Sequence, residues 1–429
     1  MNILDWSRLP PAGRALALAR PAEAHDAERR AKVADILKAV RERGDAAVRE
    51  FAKRFDGAEP GALTVPAAEL DAAWASIADE ERAALTSAAA RIEAFHKAQL
   101  PAAVRVETEA GVTCERRWLP LDTVGLYAPG GSAPLVSTVL MVGIPARLAG
   151  CPRRVLATPA GKDGKIDARL LAAAKLVGVT QVIRAGGAQA VAALAYGTES
   201  VPKADKIFGP GNAWVAEAKR QAAEDPAGAA LDLPAGPSEV LVVADDSARP
   251  DFVASDLLAQ AEHGADSQVL LVSPSRALLD AVAAELERQL SDLPRAKIAR
   301  AALAHARLIL TGGLDEALAV SEAYAPEHLI LQTREDEALA ARVRRAGAVF
   351  LGPWSPEAVG DYASGPNHVL PTGGAARAFG GLGLESFLRP VTFQRLTKAG
   401  LRAVASDVEV LSRVEGLDAH GRSVLLRKS

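Results

Sequence analysis

Gln181-Val-Ile-Arg-Ala-Gly-Gly-Ala-Gln-Ala-Val-Ala-Ala-Leu-Ala-Tyr196 is the stretch that decides the fold. A short β run over Gln181–Arg184 meets the Gly186-Gly187 turn, and Gln189–Tyr196 then continues at helical spacing. The same order of strand, turn and helix recurs on either side. Arg154–Thr158 reads as a strand and Ala168–Leu176 as a helix. Lys206–Phe208 reads as a strand, Gly209-Pro-Gly-Asn212 as its turn and Ala213–Ala223 as the helix that follows. A second series begins at Ser238, with strand Val240–Ala244, helix Asp251–His263, strand Gln268–Val272 and helix Arg276–Leu290. Further strands are read at Leu308–Leu310, Leu329–Leu331 and Val349–Leu351. Val240–Ala244 is apolar without interruption, as a strand covered on both faces must be. This alternation predicts an α/β protein of two doubly wound, mainly parallel-sheet (incomplete Rossmann-like) domains, with N- and C-terminal helical segments.

Upstream, His25–Phe55 carries Val33, Ile36, Leu37, Val40, Val48 and Phe51 at helical spacing, and Leu70–Ile77 and Asp79–Gln99 continue the pattern. Gly44 and Gly57-Ala-Glu-Pro60-Gly61 punctuate it, and strands are read at Val112–Trp118 and Thr123–Tyr127. Residues 360–385 are glycine-rich and too long for a plain connector, which marks them as functional. The tail after Lys398 reads as helices broken at Glu415-Gly416. The expected division is an N-terminal helical arm over 1–24, a first α/β domain from 25–127 plus 238–381 with most of the site, a second α/β domain over 128–237, and a C-terminal helical segment over 382–429.

A chain of 429 residues exceeds one ordinary core, and its 49% hydrophobic and 24% charged residues suit a globular enzyme. The formal charge of −3 argues against nucleic acid as a partner. Two cysteines, Cys114 and Cys151, make no disulfide framework and lack an activating charge, so both read as structural. The N-terminus shows no signal peptide, and the apolar run near Val139–Ile144 is ended by Pro145 and Arg147, so no membrane span is expected. These features fit the cytoplasm.

The chemistry lies in polar islands around four of the seven histidines. Gln260 and His263 stand at i and i+3 near a helix end, where Gly264 fits the position after the helix. A carboxamide oxygen and an imidazole there suit a metal, while a histidine answering the helix dipole fits the same pattern. Glu327-His328 sits where a loop enters a strand. The pair suits general-base work on water or an alcohol, or a surface ion pair. Strand neighbours face opposite sides, so both reach one substrate only if the backbone is irregular there. Asp361 and His368 lie in the glycine-rich loop, as an oxygen ligand and a substrate contact or as turn formers. His420 follows a helix break, as a ligand or a solvated side chain. His25, His96 and His305 carry no assigned chemistry. Gln, His, Asp and His form a mixed set suited to zinc with exchangeable positions. Three glycine turns before helices, Pro129-Gly-Gly-Ser132, Gly186-Gly187 and Gly209-Pro-Gly-Asn212, suit an anionic ligand or a dinucleotide, although ordinary βα turns also use glycine.

The strings Pro234-Ala-Gly-Pro-Ser238-Glu-Val-Leu, Ala259-Gln-Ala-Glu-His263-Gly-Ala-Asp-Ser-Gln, Ala325-Pro-Glu-His328-Leu, Gly360-Asp-Tyr-Ala-Ser-Gly-Pro-Asn-His368-Val-Leu-Pro-Thr and Glu415-Gly-Leu-Asp-Ala-His420 resemble the histidinol dehydrogenase family, in order over essentially the whole chain. The resemblance implies oxidation of L-histidinol through L-histidinal to L-histidine, the last two steps of histidine biosynthesis, with two NAD each taking a hydride. It implies zinc, one per subunit, on Gln260, His263, Asp361 and His420, with the metal holding the substrate and taking no part in redox. Glu327 is expected to activate water, and His328 to be the general base. Ser238, His368 and Glu415, together with His328 and the metal ligands, are expected to bind substrate, and Tyr127, Gln189 and Asn212 to contact NAD. A homodimer is implied in which the C-terminal segment crosses over, so that Glu415 and His420 complete the partner's site. The rivals are a same-fold dehydrogenase for another alcohol such as a sulfonated diol, a zinc hydrolase, which leaves the three glycine turns unexplained, and a non-catalytic binding module, which has no need of base and ligands together.

Overall fold

A computed structural model describes residues 2–20, 27–57, 61–130, 134–234 and 236–428. Its centre is two parallel sheets. The larger has six strands in the order Ile3–Asp5, Arg307–Leu310, Gln268–Ser273, Glu239–Ala244, His328–Gln332 and Ala348–Leu351. The smaller has five, in the order Gln181–Arg184, Arg153–Thr158, Thr123–Tyr127, Lys206–Phe208 and Ala230–Leu231. All neighbours in both are parallel. The α/β reading therefore holds, with element bounds differing by only a residue or two over most of the predicted series.

The pleat explains why the central strands are apolar throughout. In Glu239–Ala244, Val240, Val242 and Ala244 enter the core on one face, while Leu241 and Val243 enter the core on the other. The smaller sheet does the same, with Leu126 and Leu156 on one side and Tyr127, Val155 and Ala157 on the other. Helices cover all four faces.

The expected division of the chain needs correction. Thr123–Tyr127 is the middle strand of the smaller sheet, so residues up to 127 do not belong with 238–381. Helix Ala27–Arg43 packs on helices Gly187–Tyr196 and Ala213–Glu224. Ala67–Ser76 packs on Ala168–Val177, and Asp79–Lys97 on Val136–Leu148. These helices and the strand Thr123–Tyr127 thus belong with the five-stranded sheet. The N-terminal arm is not wholly helical: Ile3–Asp5 pairs with Arg307–Leu310 at the edge of the six-stranded sheet. The C-terminal segment is not wholly helical either. Leu388–Leu396 pairs antiparallel with Val112–Pro120, which pairs with Val104–Glu109 in a third, three-stranded sheet. An apolar helical stripe records that a segment is covered, not which sheet covers it.

Two switch points set the site. In the five-stranded sheet the chain runs outward from Thr123–Tyr127 in one direction and returns to Lys206–Phe208 on the other side. The carboxyl ends of those two strands flank the crevice where open α/β sheets take ligands. In the six-stranded sheet the reversal falls between Glu239–Ala244 and His328–Gln332, but there it is the amino ends that face the crevice.

Candidate active site

Between the two sheets lies a cleft of about 1290 Å³. From the five-stranded side Tyr127, Gly130, Gln189 and Asn212 reach it. From the other side come Ser238, His263, Glu327, His328, Asp361 and His368. Gln260 is fully buried directly behind His263. Glu415 and His420 are not brought in. Both are exposed on the terminal hairpin of helices Lys398–Val414 and Asp418–Lys428, which pack on each other.

The strand objection to Glu327-His328 is resolved by the turn before it. Helix Leu314–Tyr324 ends on Ala325, whose φ of 55° makes it the one non-glycine residue with positive φ among those described. Pro326 follows, and the strand starts only at His328. Glu327 therefore still belongs to the turn, and its Oε2 lies 3.6 Å from His328 Nδ1. Gly347 makes room for this: a Cβ there would lie 2.6 Å from the Glu327 carbonyl oxygen.

The neighbouring strand locks both side chains through one residue. The Glu239 amide donates to Glu327 Oε2 at 2.8 Å, and His328 Nδ1 donates to the Glu239 carbonyl at 3.0 Å. That fixes the His328 tautomer, leaving Nε2 unprotonated. Nε2 is buried without a partner, 3.9 Å from Asp361 Oδ1. Burial pushes the His328 pKa down to about 3, and that of His368 down to about 4, because a charged imidazole loses its water there. His368 donates from Nδ1 to the Asp361 carbonyl at 2.9 Å and holds Nε2 3.4 Å from Thr138 Oγ1. Burial raises Glu327 and Glu357 well above the usual carboxylate range and Asp361 to about 6.

Helix Pro250–Ala261 carries Gln260, and His263 lies just past its end. Gly264 is not left-handed there, contrary to the sequence expectation, because Glu262 caps the helix in ordinary helical geometry. The Gln260 carboxamide is satisfied when its nitrogen faces Glu357, 2.7 Å from Oε1, and its oxygen faces His263 Nδ1 at 3.1 Å. His263 Nε2 then faces Asp361 Oδ2 at 4.0 Å. Among the described residues no lysine or arginine pairs with Glu327, Glu357 or Asp361, whose only such neighbours are histidines. Carboxylates and neutral imidazoles without a cation are donors of the kind a divalent metal can use. No group of three or more His, Cys, Asp or Glu among the described residues forms a ready cage. Gln260, His263 and Asp361 fit as three ligands, with room for others.

At the other end, the Gly186-Gly187 and Gly209–Asn212 turns each lead into a helix as the sequence suggests, while residues 131 and 132 of the first glycine turn lie outside the described set. Gly209 has φ 115°, and a Cβ there would lie 2.1 Å from the Tyr127 carbonyl oxygen, so only glycine fits. The Tyr127 hydroxyl accepts from the Gly187 amide at 3.1 Å. Asn212 caps helix Ala213–Glu224, its Oδ1 accepting from Trp214 N at 3.0 Å and Val215 N at 3.2 Å. Gln189 Nε2 donates to Asp56 at 3.3 Å. Tyr127 and Asn212 thus also shape the glycine turns, while Gln189 is tied to Asp56.

Sequence reading missed several supports. Arg20 grips both carboxylate oxygens of buried Glu239, one at 2.9 Å, while its guanidinium lies 4.0 Å over the Tyr324 ring. Gly373 N also donates to Glu239 Oε1 at 2.9 Å. Asp256 and the cleft-wall residues Phe55 and Trp214 carry no sequence signal of function, and Glu357 carries a faint one. Only the isolation of Glu357 after Pro356, near the glycine-rich loop, marks it.

Comparison with known proteins bears on this arrangement. A family model described as histidinol dehydrogenase matches residues 19–428. A histidinol dehydrogenase of Xanthomonas euvesicatoria pv. vesicatoria is 56% identical over 427 residues, covering 100% of this chain and 99% of the relative. That of Salmonella typhimurium is 52% identical over 426 residues, covering 99% and 97%. A crystal structure of histidinol dehydrogenase from Elizabethkingia anophelis superposes with a TM-score of 0.93 at 44% identity, covering 98% of this chain and 96% of that one.

Proposed function

This chain belongs to the histidinol dehydrogenase family, an oxidoreductase family, and from that premise we propose that it oxidises L-histidinol through L-histidinal to L-histidine with two NAD and one zinc per subunit. The observation that carries the reading is His328. It is a neutral buried imidazole whose Nδ1 is held on the Glu239 carbonyl and whose Nε2 faces the cleft without a partner. His328 Nε2 takes the proton from the alcohol, and later from the hydrated aldehyde. Glu327, anchored by the Glu239 amide, draws a proton from the water that adds to the aldehyde carbon. NAD, bound across the Gly187 and Gly209 turns near Tyr127, Gln189 and Asn212, supplies the hydride acceptor. Gln260, His263, Asp361 and His420 would hold the zinc, which would supply a Lewis acid at the substrate end of the cleft. Ser238 and His368 line the same end of the cleft and orient the substrate.

We assign Glu415 and His420 to the site of a second copy. They stand on the terminal hairpin, where Val410, Leu411, Val414 and Leu417 are 52%, 60%, 78% and 42% exposed. Such an apolar stripe needs a covering surface. No helix among the described residues is long and apolar enough to cross a membrane. Cys114 and Cys151 are both free, which supports a reducing, cytoplasmic setting.

The test is stoichiometric. Purified protein with limiting L-histidinol and excess NAD is expected to form close to two NADH per histidinol consumed, with histidine as product. A ratio near one, or no NADH, rejects the four-electron reading, and turnover of a sulfonated diol in place of histidinol transfers the function to the rival substrate.

A further inference from the structure

We infer that Glu357 is a positioning residue whose carboxylate takes the amide hydrogens of Gln260 and thereby turns the Gln260 carbonyl oxygen toward His263 and the proposed metal. The inference rests on the metal reading above and concerns a residue to which that reading gives no role.

A glutamine offers two nearly isosteric faces. The terminal torsion of its carboxamide is broad and roughly two-fold, so shape alone does not choose between oxygen and nitrogen. Only the oxygen has a lone pair for a metal. A neighbouring carboxylate, which in its ionised form accepts and does not donate, breaks the tie. With the carboxamide turned so that both of its ends are satisfied, Glu357 Oε1 and Oε2 lie 2.7 Å and 3.3 Å from the Gln260 amide nitrogen. The other polar atom nearby, His328 Nδ1, is already committed to the Glu239 carbonyl at 3.0 Å. Glu357 is therefore the acceptor available to Gln260.

The placement is built in. Glu357 is the first residue of helix Glu357–Tyr362, directly after Pro356, and is 1% exposed. Asp361 follows at i+4 on the same helical face, so one short helix brings both a proposed ligand and the group that orients another. Gly360 lets that helix close on Phe350, since a Cβ there would lie 2.6 Å from the ring. A carboxyl group buried without a lysine or arginine partner is unfavourable for folding, and orienting a ligand gives it a task there. Groups behind metal ligands commonly act in this way.

The test is zinc affinity, measured on the full chain by competition with a chromogenic chelator, with the cobalt(II) visible spectrum as a second readout. Glu357→Leu is expected to weaken zinc by roughly 10- to 100-fold. Glu357→Gln, whose carbonyl can still accept, is expected to stay much closer to the unsubstituted chain. In a Gln260→Ala background Glu357→Leu is expected to cost no further affinity, because there is nothing left to orient. Glu357→Ala replaces the leucine variant if that one does not fold. Zinc binding that Glu357→Leu leaves within about twofold, or an equal loss in both backgrounds, overturns the inference while the metal reading stands. Zinc binding indifferent to Gln260→Ala and His263→Ala overturns both.

Discussion

Removing Arg20 is the sharpest perturbation the structure suggests, because one partly exposed side chain holds the buried Glu239 carboxylate, whose peptide anchors the proposed catalytic pair. The Arg20 side chain is 24% exposed and that of Glu239 3%. Arg20→Ala leaves the Glu239 carboxylate buried, with the Gly373 amide at 2.9 Å as a hydrogen-bond donor left to it among the described residues. Breaking a buried pair from one side typically costs 3–5 kcal/mol. The surviving amide bond and the partial exposure of Arg20 place this case at the low end, about 3 kcal/mol. The same change frees the Tyr324 carbonyl, which Arg20 holds at 2.9 Å. Since the Glu239 peptide positions Glu327 and His328, kcat is expected to fall about 10- to 100-fold as the pair loosens. Urea unfolding at fixed protein concentration reads the first quantity, and NADH formation the second. Arg20→Ala combined with Glu239→Gln should recover about half of the lost stability, because no uncompensated charge remains. A loss below about 1 kcal/mol for Arg20→Ala, or no recovery in the double variant, would refute the argument that this ion pair anchors the site.

Two further outcomes follow from other parts of the chain. Asp256 is buried, receives a hydrogen bond from Gln332 Nε2 at 2.9 Å, and has its pKa pushed up to about 7 by burial. Its folded-state pKa lies above the unfolded value, so its contribution is fully present below about pH 4 and is lost as pH rises toward 7. Asp256→Asn should therefore match the unsubstituted chain near pH 4 and exceed its stability at pH 8, by at most about 4 kcal/mol; a gain that does not change with pH counts against the assignment. If the terminal hairpin crosses between copies, inactive Glu327→Gln and His420→Asn chains refolded together should regain about one quarter of full activity, since half of the dimers then carry one intact site of two. No regain on mixing places His420 in its own chain's site.

How much of this was legible in the sequence differs by level. The strands and helices of both α/β series could be read, because burial on two faces makes a strand continuously apolar and burial on one makes a helix periodic. Val240–Ala244 and Arg276–Leu290 show each case. The chemistry was legible too: glutamine, glutamate, aspartate and histidine in short polar islands between apolar elements have few structural reasons to be there. What the residues could not show is partnership across distance. Nothing in Thr123–Tyr127 says that it is the central strand of the smaller sheet, and nothing in Leu388–Leu396 says that it joins Val112–Pro120. Arg20 and Glu239, 219 positions apart, meet only when the N-terminal arm lies along the six-stranded sheet. Glu327 and His328 face one cleft only because Ala325 turns left-handed and Gly347 yields space. The sequence determined which segments are buried and which groups can bind a metal or move a proton, because those depend on each residue's own polarity and spacing. The tertiary structure alone decided which of those groups meet, which nitrogen of His328 is free and which way Gln260 points, because such contacts depend on the packing of segments far apart in the chain.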